Sequence, residues 1–414
     1  MTTEVAIKIN IDENLNLTQI ENQIRELNLP KIALEQYLEK TQHALCEPFA
    51  GKKNQRKNNS THFYLTDKPK KIKTEFGNIN FKQHRIRLKD KSQPIQTPIL
   101  SILERNPSEI TKLDKECLIL AKNTSYGKSK EILDFSRPDL NLSKTKIHEK
   151  ANKTAKAVKK EHKKQIKDEK YAVVSSDGTY IHNISGNKHE VKVSIGFKAG
   201  SFKPQLLDIA INVDWTKVNQ NIKHHITPET LLLSDGEKGI SHNLEYQENG
   251  FQMCNRHFLD GLYYRFWQDE IGKKEAQSKV AEFEKVIFKM KNQVKKYEID
   301  ESYDLQAKME ENLRQITYLA NKLFVGGFKH TYKFVKACQN NLFTYVRKAL
   351  CGIFLKHMSN DIERTMLEVS RRAKKKGMHW SKQGAENLLY SMLLSYFDKR
   401  LFYQILDKIG VVEN

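Results

Sequence analysis

Two aspartates stand in the same local setting. Asp177, in "SSDGTYIH", closes a predicted first strand, and Asp235, in "LSDGEKGI", closes a predicted fourth. An Asp-Gly pair is first of all a turn former. If the two strands are neighbours in a mixed sheet, however, both carboxylates emerge side by side at one edge, where open α/β sheets place ligands. Carboxylates so placed suit the attack of an oxygen on a phosphodiester. Two Mg²⁺ ions about 4 Å apart activate the nucleophile and stabilise the leaving oxygen, and they require hard oxygen ligands on rigid supports. A third carboxylate is needed opposite the pair, and Glu363, near the start of the predicted helix "SNDIERTML", is the candidate. Asp208, Asp214 and Glu237 remain rivals for metal ligation, because strand ends read from one sequence shift by a few residues.

Cys254 and His257 form a Cys-x-x-His element in "MCNRHFLDGL". Two ligands do not make a structural zinc site, which takes four, and no second pair lies nearby in the sequence. The expectation is a structural role beside the acids, with His257 hydrogen-bonding or touching DNA. All five cysteines, Cys46, Cys117, Cys254, Cys338 and Cys351, are scattered without a Cys-x-x-Cys pair. That pattern fits a reducing compartment and excludes a disulfide framework.

The elements that must position these residues are legible from periodicity. Residues 14–46 predict short amphipathic helices, with Leu17, Ile20, Ile24 and Leu27 at helical spacing. A polar linker, "GKKNQRKNNSTH", leads to an alternating segment with a Gly-Asn turn, "IKTEFGNINFKQHRIRL", which predicts a small β-hairpin. From Asp114 to Ala157 the pattern is helical, broken at "FSRPDLNLS", with Asn141 or Ser143 as N-cap of the second helix. This layout, residues 113–168, suits a helix-turn-helix, whose basic second helix would bring Lys144, Lys146, Lys150 and Lys153 to DNA. At Tyr171 the character changes. Three strand-like runs with short turns predict an antiparallel meander. A short helix near 217–225, a central apolar strand at "ETLLLSDG", a helix at "HNLEYQENG" and a fifth strand at "FQMCNRH" follow. The pattern is almost entirely helical from Phe258 to Lys356, with an insertion set over about 268–356, and contains a seam of Val280, Phe283, Ile287, Met290, Val294 and Tyr297, read as a helix packing inside its own domain. Two more helices complete the chain: "SNDIERTMLEVSRRAKKKG", capped by Ser359 or Asn360 and closed by Gly377, and the apolar "SKQGAENLLYSMLLSYFDKRLFYQIL".

The order Asp177, Asp235, helical insertion, then Glu363 in "SNDIERTMLEVSRRAKKKGMHWSKQGAENLL" resembles the DDE transposases, in particular prokaryotic insertion-sequence transposases related to the Mutator-like group, which also carry a Cys-x-x-His element after the second aspartate. The resemblance covers residues from about Tyr171 onward. It implies an α/β fold with an RNase H-like mixed sheet interrupted by an all-helical insertion, over 171–414, preceded by a largely helical DNA-binding region. It further implies Mg²⁺-dependent cleavage at element ends, with Mn²⁺ as a substitute, and joining of the freed 3′-hydroxyl to target DNA. Asp177, Asp235 and Glu363 would hold the metals, while Arg364 and the basic run Arg371, Arg372, Lys374, Lys375 and Lys376 would contact the DNA backbone. The partners implied are double-stranded DNA and further copies of the chain, as a dimer or larger assembly. An RNase H-like nuclease without strand transfer, and a domesticated DNA-binding protein without catalysis, are the alternatives.

Composition points the same way. With 71 basic against 50 acidic residues the formal charge is +21, which makes polyanions the expected partner class. Lysines crowd residues 144–170, whereas the stretch from Tyr171 to Gln252 is nearly balanced. A length of 414 residues allows two or three domains. No run of about 18 apolar residues suggests a membrane span, and the first residues lack the pattern of a signal peptide. The expectation is a cytoplasmic protein, nucleoid-associated if prokaryotic.

Overall fold

The computed structural model describes residues 27–46, 62–74, 76–88, 97, 110–201, 203–236, 250–355, 360–374 and 379–409. The helical spacing read at Leu17, Ile20 and Ile24, the linker at 51–61, the helix at "HNLEYQENG", the cap Ser359 and the closing Gly377 lie outside them. The chain divides into two compact units, with the division between Thr154 and Ala155.

In the first unit, helix α1 (Leu29–Cys46) lies on a hairpin of β1 (His62–Thr74) and β2 (Gly77–Leu88). Leu38 packs against Ile79 and Phe81, with Leu34, Leu45 and Ile72 around them. Gln42 fastens the helix to the strand, donating to the Lys82 carbonyl and accepting from the His84 N–H at 2.8 Å. Thr74 pairs with Gly77, so Gly77 and Asn78 belong to β2 and the turn precedes the Gly-Asn pair that the sequence suggested. Next come α2 (Lys112–Asn123), α3 (Tyr126–Ser136) and α4 (Lys144–Gln165). Thr111 and Asp114 form a capping box at the start of α2. Ser143 caps α4, accepting from the Lys146 N–H at 3.2 Å, whereas Asn141 adopts the left-handed conformation (φ 40°) that turns the chain ahead of it.

The second unit is built on a five-stranded mixed sheet of β3 (Val173–His182), β4 (Lys188–Phe197), β5 (Gln205–Ile211), β6 (Leu231–Ser234) and β7 (Phe251–Met253), in the order β5-β4-β3-β6-β7. The first three strands form the expected antiparallel meander, and β6 and β7 run parallel to β3. Helix α5 (Trp215–Ile222) covers one face, where Trp215, Val218 and Ile222 meet Val174, Leu207 and Leu232. The second half of α4 belongs to this unit, because His162 Nδ1 meets Tyr390 Oη at 2.9 Å and Lys163 Nζ reaches Asp208 at 2.7 Å. That is why the division falls inside a helix and not near Asp168, where the charge pattern changes.

After β7 come α6 (Asn255–Gln268), α7 (Lys273–Ile299), α8 (Leu305–Val325), α9 (Lys329–Cys338) and α10 (Thr344–Leu350). Val280, Phe283, Ile287 and Met290 are buried on α7, which packs against α6 and α8, so the heptad-like spacing is an intramolecular face. The helical pattern read from Phe258 starts in the structure at Asn255. Gln252 in β7 ties it to the sheet, donating to the Leu342 carbonyl at 2.9 Å and accepting from the Tyr345 N–H at 3.1 Å. Helix α11 (Asn360–Val369) packs on β3 and β4 and passes into a π-helical turn, Ser370–Lys374, where one continuous helix was expected. The apolar C-terminal helix is two, α12 (Lys382–Phe397) and α13 (Lys399–Lys408), since Asp398 breaks the run and caps α13 by accepting from the Leu401 N–H. Among the described residues no helix is long and apolar enough to cross a membrane.

Candidate active site

Strand register brings the two aspartates together. In the parallel β3–β6 pair Val173 faces Leu231, Val174 faces Leu232 and Ser175 faces Leu233. Two further residues along each strand are Asp177 and Asp235. Side chains alternate between sheet faces, and Val174 and Leu232 pack towards α5. Asp177 therefore lies on the opposite face, and Asp235 follows one residue past the end of β6. Ser175 Oγ donates to the Leu233 carbonyl at 2.9 Å, closing the strand pair just before they diverge. Asp177 does not end its strand, contrary to expectation: β3 continues to His182 along β4, with Asp177 opposite Val193. What ends at Asp177 is the pairing with β6.

At Asp235 the chain turns through Gly236, whose φ of +91° suits glycine. A Cβ there would also lie 2.8 Å from Met253 Sδ. Sequence reading treated this glycine as an ordinary turn residue, and the close approach to β7 has no local signal.

Glu363 comes from the first turn of α11, whose buried face of Ile362, Thr365, Met366 and Val369 seats the helix. It completes a group with the aspartates. Burial first, and then the negative charges of Asp235 and Glu363, push the Asp177 carboxyl up to about 6, against a bond from the Gly178 N–H at 2.7 Å and the His257 charge. Asp177 thus feels the charge of both other acids.

Cys254 and His257 lie beside the acids. The fifth strand stops at Met253, so Cys254 is the N-cap residue of α6 and His257 sits in its first turn. Cys254 is fully buried, and its N–H donates to the Ser234 carbonyl at 2.8 Å, next to Asp235. The His257 imidazole is pushed up to about 9, chiefly by its hydrogen bond with Cys254 and then by the charges of Cys254, Asp235 and Glu363, burial opposing. It is thus a cation at neutral pH. His257 Nδ1 is 4.0 Å from Glu363 Oε1, and Arg256 Nη1 is 3.7 Å from Glu363 Oε2. Arg256 escaped sequence reading because nothing local links it to Glu363.

The rivals are otherwise engaged. Asp208 is buried on β5, where Lys163 Nζ and Asn221 Nδ2 each meet it at 2.7 Å. Asp214 caps α5, accepting from the Lys217 N–H at 2.8 Å. Glu237 lies outside the described residues, as do Lys375 and Lys376.

The basic residues fall into three groups. Arg364 is exposed, and Arg371 is exposed with Glu368 at 2.5 Å. Lys374 Nζ donates to Thr179 Oγ1 at 2.8 Å, so its ammonium stays close to β3 two residues beyond Asp177. Arg372 is the exception to the expected backbone contacts: it is 4% exposed, with its guanidinium 4.9 Å above the Trp380 ring. In the first unit Lys144 and Lys146 are exposed, Lys146 beside Glu149 at 2.6 Å. Lys150 and Lys153 instead face the buried Asp114, at 2.6 and 3.8 Å, which orients them towards α2.

No protein-family model matches the chain, and no curated protein matches it.

Proposed function

We propose that the chain is a DNA transposase of the DDE class, cleaving phosphodiesters at element ends and joining the freed 3′-hydroxyl to target DNA. The observation that carries this reading is the convergence of Asp177, Asp235 and Glu363, from three separate segments, at the point where β3 and β6 part. The strand order, with three antiparallel strands followed by two parallel ones and a helical block between the fifth strand and α11, supports an RNase H-like sheet with an insertion.

The donor set fits a hard divalent cation. Carboxylate oxygens are what Mg²⁺ and Mn²⁺ take, and positive charge among the acids relieves the part of the Asp177 shift that Asp235 and Glu363 add to the larger effect of burial. When bound, Mg²⁺ supplies activation of the attacking oxygen and stabilisation of the leaving one. Asp177 and Asp235 would hold it from the sheet and Glu363 from α11. The sheet residues are fixed by ladder bonds and the glutamate by a helix on the same strand, so the three oxygens are pre-organised. His257, cationic at neutral pH, and Arg256, 3.7 Å from Glu363 Oε2, offset part of the acid charge. Arg364 and Arg371 offer exposed cations on α11 and its π turn for the DNA backbone.

The test is an assay of the purified chain with Mg²⁺ and DNA from both sides of its own gene, sequenced first to find inverted repeats. Cleavage at the repeat boundaries and joining to a target plasmid are expected. Asp177→Asn, Asp235→Asn and Glu363→Gln should each lower the rate by at least about 10³ with the fold intact by circular dichroism. A variant that cleaves at the wild-type rate removes its residue from the site, and cleavage without joining points to a nuclease that lacks strand transfer.

A further inference from the structure

Cys254 Sγ, one ring nitrogen of His257 and one carboxylate oxygen of Glu363 all lie within 4.8 Å of one another. Among the described residues no other three Cys, His, Asp or Glu side chains gather so closely. We propose that Cys254, His257 and Glu363 bind one borderline-soft divalent cation of the zinc class, and that its occupancy withdraws Glu363 from the carboxylates of Asp177 and Asp235. The second half rests on the functional reading above, whereas the first stands on the donor atoms alone.

The donor types select the metal. A sulfur ligand disfavours Mg²⁺, which takes oxygen in octahedral geometry, and favours Zn²⁺ and its neighbours, which accept sulfur, imidazole nitrogen and carboxylate oxygen together. Zinc lies about 2.3 Å from sulfur and about 2.0 to 2.2 Å from nitrogen and oxygen, so its ligand atoms stand about 3.3 to 3.7 Å apart. Here His257 Nδ1 and Glu363 Oε1 are 4.0 Å apart, and small torsions of the long Glu363 side chain close the remaining gap. Three protein ligands leave one position open, as in zinc sites that keep an exchangeable fourth ligand. Binding displaces the His257 proton, after which a thiolate, a neutral imidazole and a carboxylate together balance the charge of the ion.

The supports are as rigid as those of the acids. Cys254 is locked by its N–H to the Ser234 carbonyl and by its own carbonyl, which accepts from the Phe258 N–H at 2.9 Å. His257 follows three residues later on the same helical turn, the spacing that brings i and i+3 to one face. Glu363 stands in the first turn of α11 and turns Oε1 to His257, while Oε2 faces Arg256. One carboxylate thus lies within reach of two metal chemistries, a hard one with Asp177 and Asp235 and a softer one with Cys254 and His257. It cannot serve both fully, so zinc at the second should weaken Mg²⁺ at the first.

The experiment uses the full chain stripped with EDTA and titrated with Co²⁺, whose thiolate complexes absorb by charge transfer. One equivalent should develop that absorption and Zn²⁺ should bleach it. Cys254→Ser and His257→Ala should each abolish it, and Glu363→Gln should weaken Co²⁺ binding about tenfold or more. Two of these variants change different ligands, so a folding defect in one leaves the other decisive. No absorption in the wild type, or an undiminished signal in a folded Cys254→Ser protein, overturns the site. In a second arm the Mg²⁺ concentration giving half-maximal thermal stabilisation is measured with and without one equivalent of Zn²⁺. A rise of about tenfold is expected, and an unchanged midpoint overturns the sharing of Glu363. If the carboxylate reading itself is wrong, Mg²⁺ gives no stabilisation at all while the cobalt signal persists, which separates the two failures.

Discussion

The protonation of Asp177 reports on its neighbours. Burial and two nearby carboxylates raise it to about 6, whereas an unfolded aspartate titrates near 3.9. Between those values the unfolded chain releases a proton that the folded protein keeps. Folding therefore loses stability as pH rises through this window and is penalised at all higher pH. Asp177→Asn removes the penalty. In EDTA at pH 7.5 the variant should unfold at higher temperature, by about 1 kcal/mol of stability, and the advantage should vanish near pH 4. Parallel melting curves for both proteins from pH 4 to 7.5 would contradict this. Added Mg²⁺ at pH 7.5 should then stabilise the wild type and leave Asp177→Asn nearly unmoved.

Helix α4 shows how one element serves two kinds of packing. Its first half is anchored by Asp114, which is buried, caps α2 and faces Lys150 and Lys153. Hydrogen bonds from Lys150 and Thr111 outweigh burial and hold the Asp114 carboxyl below the usual carboxylate range. Asp114→Ala leaves two lysines and a helix end without that partner. It should cost at least about 2 kcal/mol in denaturant unfolding of the first unit, and a loss under 0.5 of that figure would deny the anchor. In its second half the buried His162 meets Tyr390, and burial pushes the imidazole down to about 4. The unfolded histidine takes a proton near 6.5. Stability is thus whole above that pH and should fall by about 1.4 kcal/mol per pH unit as pH drops towards 4. His162→Gln should flatten that dependence, and an unchanged pH profile would assign the acid sensitivity elsewhere.

For the molecule as a whole, the charge of +21 predicts binding to polyanions that weakens steeply with salt. On the proposed reading, the exposed lysines are the ones available to DNA. Lys144 and Lys146 stand exposed at the start of α4, while Lys150 is turned to Asp114. A Lys144→Ala, Lys146→Ala double variant should therefore reduce the slope of log affinity against log salt by about 2. Lys150→Ala should lower the melting temperature and leave the slope nearly as it was. Equal slope changes from both variants would mean that the ion pair with Asp114 opens on DNA.

Alternation by two and by 3.6 residues is a local property, so the strands around Asp177 and Asp235, the meander and the helical block could be read from neighbouring residues alone. Asp-Gly at the end of β6, and a glutamate in the first turn of a later helix, were legible for the same reason, whereas the Asp-Gly at Asp177 lies inside β3. Their meeting was not. It depends on β6 pairing parallel to β3 in the register that sets Ser175 against Leu233, and on α11 packing over β3. Partner choice between distant side chains also escapes periodicity: Arg372 is as basic as Arg371 in sequence, yet one is buried over Trp380 and the other is exposed. Lys150 and Lys146 differ in the same way, because only one lies opposite Asp114. Residue type determines what a side chain is able to do, and the burial and charge that long-range packing creates around it determine which of those things it does.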